Sequence, residues 1–80
     1  MILELSNEEM RFLKQYLISN NYSAFEYEIH SDIIIIQDNM AVNLQESLIE
    51  EMHNHFDKQY NVTPIGIIIE SLIDKIYDAL

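Results

Sequence analysis

Hydrophobic and polar positions alternate strictly from Ala24 to His30, with Phe25, Tyr27 and Ile29 on one side and Glu26, Glu28 and His30 on the other. This period-two pattern of aromatic and β-branched residues predicts a half-buried strand. Ser31-Asp32 is a turn-forming pair and Ile33 to Ile36 follow at once, so the stretch reads as a hairpin. Four consecutive isoleucines make the second strand apolar on both faces, as in a strand set centrally or covered on each side. If helices cover only the Phe25/Tyr27/Ile29 face, two isoleucines emerge beside Glu26 and Glu28. Those two need shielding by neighbouring side chains, a second copy or a partner.

The period changes on either side of the hairpin. Met1 to Leu5 is short, apolar and extended in pattern, an edge strand or a packed terminus. Ser6-x-x-Glu9 is a capping box, with Leu5 and Met10 where a hydrophobic staple would set them. Met10, Leu13 and Leu17 then share a face that Phe12 and Tyr16 widen, and Asn20-Asn21 supplies a stop, which predicts a helix over about 7–20. After the hairpin, Gln37-Asp38-Asn39 reads as a turn. Met40-Ala41-Val42 is then either a short third strand or the chain's entry into the next helix. Asn43 with Glu46 resembles a capping box, so the second helix is predicted from Leu44. Its stripe is Leu44, Leu48, Met52, Phe56 and Tyr60, joined by Ile49, with a stop at Asn61. Thr63-Pro64 opens a third helix. Its apolar face is Ile65, Ile68, Ile69, Leu72, Ile73, Ile76 and Leu80, and Ile67 falls opposite, near Ser71, Asp74 and Asp78. The expected fold is a single α+β domain over 1–80, ordered α-β-β-(β)-α-α. Three helices pack on a two- or three-stranded antiparallel sheet.

Composition narrows what such a domain does. Eighty residues bury about 60–65% of the unfolded chain's surface, and with no cysteine there is no disulfide or thiolate metal site to add to that. No apolar run reaches the ~18–20 residues of a membrane span, and the start lacks a signal peptide's basic and apolar regions. A cytoplasmic protein is expected. Fourteen acids against four bases give a net charge of −10, a field that repels nucleic acid and anionic membranes and attracts basic partners. The codon bias implied by abundant Ile, Asn and Tyr should also favour lysine, yet only Lys14, Lys58 and Lys75 occur. Acidity is therefore read as selected.

Candidate chemistry is sparse. Glu46, Glu50, His53 and Asp57 fall in one sector of the second helix, and Glu50-x-x-His53 has the spacing of a metal half-site. No second Glu-x-x-His exists and the stripe lies opposite the apolar face, so no metal or other cofactor is assigned. His30, His53 and His55 are the residues suited to proton transfer near neutral pH. There is no glycine-rich phosphate loop, nucleophile elbow or cysteine nucleophile, and no enzyme activity is expected. Glu46-Ser47-Leu48 superficially resembles the attachment motif of acyl-carrier proteins. The glycine-containing loop is missing and Ser47 falls inside a helix, so that family is not adopted.

The expectation is a small non-enzymatic acidic protein that binds a basic protein surface, with nucleic-acid-handling proteins among the candidate partners. Inhibitors, immunity proteins and nucleic-acid mimics of phage or mobile-element type form the natural class. Glu46, Glu50, Glu51 and Asp57, with Glu26 and Glu28 on the sheet, are the expected contact residues, and Asp74 and Asp78 form a second patch. The alternative is a self-assembling homodimer joined through Ile34, Ile36 and Ile67, its acidity serving solubility. A third reading, metal- or pH-responsive regulation, rests on Glu50, His53, Asp57 and His30.

Overall fold

Ser6 turns the chain out of an extended start and into its first helix. In the computed structural model, which describes residues 1–22, 26–55 and 63–80, Ile2–Glu4 forms strand β1 and Asn7–Ser19 forms helix α1. The capping box is complete: Glu9 N–H donates to the Ser6 hydroxyl at 3.2 Å, and Ser6 N–H donates to the Glu9 carboxylate at 2.8 Å. Asn21, at φ 59°, ends the helix in the left-handed conformation that asparagine tolerates. Strands β2 (Tyr27–His30) and β3 (Ile33–Ile36) follow, then helices α2 (Asp38–Met52) and α3 (Pro64–Ala79). The architecture is mixed α+β, ordered β-α-β-β-α-α, with a three-stranded antiparallel sheet in the order β1-β3-β2.

The isoleucine strand is central, as its two apolar faces predict, and the third strand is the N-terminal segment. Met40-Ala41-Val42 is helical instead. Met40 and Ala41 are buried at helical spacing before the buried Leu44 and Leu48, so the apolar stripe extends back through them and draws the helix start to Asp38. The helix also ends earlier than Tyr60. His53, Asn54 and His55 N–H groups donate to the Glu50, Glu51 and Met52 carbonyls, and these three-residue bonds tighten the last turn and close the helix. Phe25, Phe56, Asp57 and Tyr60 lie outside the described residues. Thr63 caps α3 through its hydroxyl, which accepts from Gly66 N–H at 3.2 Å, with Pro64 in the first turn. Helix α3 packs against α1, α2 and β1, and its Ile69, Leu72 and Ile76 are fully buried with Leu13, Leu17, Ile34, Leu44 and Leu48.

One tight position carries backbone strain. Ser31, in the two-residue turn between β2 and β3, sits at φ 59°, a conformation that costs a residue with a Cβ roughly 1 kcal/mol relative to glycine. Ser31→Gly is expected to raise the midpoint of thermal unfolding by a few degrees, corresponding to about 0.5–1 kcal/mol, with the far-ultraviolet spectrum unchanged.

Candidate functional site: the uncovered face of the sheet

Strand register decides which isoleucines meet the core. A two-residue turn pairs His30 with Ile33, and the ladder continues Ile29–Ile34, Glu28–Ile35 and Tyr27–Ile36. Cross-strand partners share a face, so Ile34 and Ile36 join Tyr27 and Ile29 on the helix side. They are 0% and 1% exposed. The assignment of Ile34 and Ile36 to a dimer interface is thus corrected: both are core residues, and the outward pair is Ile33 and Ile35. On β1, Ile2 pairs with Ile35 and Glu4 with Ile33.

The outer face therefore has two cross-strand rows, Ile2–Ile35–Glu28 and Glu4–Ile33–His30. Ile2 is 66% and Ile35 is 37% exposed, and Ile33 is half-buried. Glu4 and Glu28 stand at opposite corners, and the His30 ring approaches the Glu28 carboxylate at 3.1 Å. An apolar centre with carboxylates at its margin is left on the side of the sheet away from the buried core.

The expected contact residues are not gathered in one place. Glu28 belongs to this face. Glu26 is half-buried just before β2, and its carbonyl accepts from Gln37 N–H at 3.2 Å. Glu46 and Glu50 are exposed on α2, on the side that also carries Val42 and Ile49, both 43% exposed. Ile49 thus stands outside the core stripe to which its spacing had joined it. Glu51 lies a hundred degrees further round the helix from Glu50, beside α1, and is paired with His55 at 3.2 Å. Ile67 is 59% exposed on α3, on the side that carries Asp74. Ile2, Glu4, Ile33 and Ile35 are the surface residues that pattern reading passed over. The length of the turn was the available signal, because it fixes the parity of the second strand.

Two polar contacts hold the helices behind the sheet. Glu9 is buried where α1 meets α3, and its carboxylate accepts from Lys75 Nζ and from the Ser71 hydroxyl, each at 2.6 Å. Burial alone would push the Glu9 carboxyl up. Lys75, then Ser71 and Ser6, outweigh it and hold the pKa at about 2. Tyr16 and Ser47 join their hydroxyls between α1 and α2, and burial pushes the Tyr16 phenol up. Ser47 is thus engaged within a helix. Among the described residues no group of three or more histidine and carboxylate side chains is placed to hold a metal. No described helix is long and apolar enough to cross a membrane. In comparison with known proteins, no family model fits the chain, and neither a curated protein nor a solved structure matches it.

Proposed function

We propose that this chain is a small non-enzymatic binding domain whose uncovered sheet face docks a basic protein. The observation that carries the reading is the Ile2/Ile33/Ile35 surface flanked by Glu4 and Glu28. Apolar side chains supply the driving force when a partner covers them. The carboxylates at the margin, in a chain of net charge −10, select a cationic partner and speed its approach. Proteins that handle nucleic acid carry such basic surfaces, and an inhibitor, immunity protein or nucleic-acid mimic acting in the cytoplasm fits the same chemistry.

A second copy fits the face less well. Stacking two such faces brings Glu4 and Glu28 of both chains into one interface, and like charges placed together cost several kcal/mol. The chemistry of the face thus favours a basic partner over a homodimer.

The test is affinity capture with three tagged chains: wild type, Ile35→Ser, and the double variant Glu46→Gln/Glu50→Gln. The wild type is expected to retain a basic protein that moderate salt releases, because surface charge is screened over about 8–10 Å. Ile35→Ser loses that protein and the double variant keeps it. Equal retention by all three overturns the sheet face as the site. Recovery of the bait alone, with a dimer mass in light scattering, replaces the reading with self-assembly.

A further inference from the structure

We infer that the partner reaches this surface as an added β-strand, an extended segment bearing lysine or arginine that pairs with the edge of β2 left unpaired among the described residues. The inference rests on the docking reading above and specifies its mode.

The two edges of the sheet differ. At the β1 edge the Glu4 carbonyl accepts from Lys75 Nζ at 3.1 Å, and α3 packs alongside. At the other edge, β2 pairs with β3 alone among the described residues. Antiparallel strands spend alternate residues on each neighbour. Gln37 N–H donates to the Glu26 carbonyl, which sets the phase. Glu26, Glu28 and His30 therefore face β3, and the backbone N–H and C=O groups of Tyr27 and Ile29 face outward. Their side chains are only half-buried, as expected where no further strand among the described residues covers them. Such an edge is a template for strand addition.

Size points the same way. Three short strands present a planar footprint of roughly 200 Å², against about 800 Å² per partner in a stable complex. A contact limited to the outer face of these strands falls short of that area, and the adjoining edge of β2 extends it. A hollow beside this edge suits a basic side chain. It is lined by Glu26, Tyr27, Glu28, Ile35, Ile36 and Gln37. A lysine or arginine stem lies along Ile35 while its charge meets the two carboxylates. Net charge opposes a second copy at the same edge.

The probe is a short alternating lysine–valine peptide added to the intact chain, with backbone amide exchange of Tyr27 and Ile29 followed by nuclear magnetic resonance. Both amides should exchange freely in the protein alone and slow by about tenfold or more with the peptide, equivalent to about 1.4 kcal/mol. The same peptide methylated on every backbone nitrogen keeps its side chains and charge but cannot pair as a strand, and should leave both amides unprotected. Protection of these amides before any peptide is added overturns the inference, because the edge is then already occupied. Absence of protection by the unmethylated peptide overturns it as well. If both peptides bind equally and Ile35→Ser abolishes both, strand addition is wrong while docking on the sheet face stands.

Discussion

Replacing Glu9 with alanine should destabilise the domain by about 3 kcal/mol, the range found when one partner of a buried polar pair is removed. Three groups lose their acceptor together: the Ser6 N–H, the Ser71 hydroxyl and the Lys75 ammonium. Lys75 is partly exposed, so water recovers a portion of its loss. Half of the capping box goes with it, while the Ser6 hydroxyl still accepts from the backbone N–H of residue 9 and keeps α1 capped. A domain of this size holds roughly 4–12 kcal/mol in total, and the midpoint of thermal unfolding should fall by about 12–24 °C. Glu9→Gln separates the contributions. It retains an oxygen for the Ser6 N–H but leaves Lys75 without a counter-charge, so its cost should be smaller, about 1–2 kcal/mol.

The same carboxylate fixes a pH dependence. Its pKa is about 2 in the folded chain against an ordinary value of 4.5. The unfolded state therefore binds the proton first as pH falls, and the stabilisation from the ionised group is complete above 4.5 and fades toward 2. Denaturant unfolding of the wild type and Glu9→Gln should show the widest gap near neutral pH, with the two converging in that acid window. A gap that is constant down to pH 2 would mean that the charge of Glu9 contributes nothing to stability.

Local rules made much of this fold legible. Ser6 and Glu9 announced α1 because a capping box is complete within four residues, and Thr63-Pro64 announced α3 for the same kind of reason. The four isoleucines announced a central strand because no polar side chain marks a wet face. What escaped depended on partners distant in sequence. Whether Ile2–Glu4 was a strand or a packed end was settled by its pairing with β3, a strand distant in sequence. Asn43-x-x-Glu46 satisfied a local start rule, yet the buried Met40 and Ala41 carried the helix past it. The capping residue Glu9 gave no sign of its bond to Lys75, since nothing in the spacing of either helix sets the angle at which they cross. The candidate site was half legible. Pattern required two isoleucines to emerge beside Glu28, but counting through the turn was needed to learn which two, and Glu4 entered only with the third strand.

Adjacent isoleucines on β3 should therefore respond to substitution in opposite ways. Ile34 has no exposed surface and lies among Leu3, Leu13 and the helix side chains, so Ile34→Ala leaves a cavity and should cost about 2–5 kcal/mol. In a domain this small that amounts to roughly 10–30 °C in unfolding midpoint, and partner capture would be lost only in proportion to the folded fraction. Ile35 stands one residue on and faces outward between Ile2 and Glu28. Ile35→Ser removes no core contact and should change stability by less than about 1 kcal/mol, yet it takes away the apolar centre on which the proposed partner rests. Losing the buried anchor of an interface commonly costs 2 kcal/mol or more in binding, a factor of about thirty in affinity. Thermal melts and capture of the two variants, measured side by side, read both effects. If Ile35→Ser unfolds the domain while Ile34→Ala leaves it intact, the strand is inverted relative to the register described. If both variants are stable and both retain the partner, the register of β3 is not fixed by the core, and the outer face is not where the partner docks.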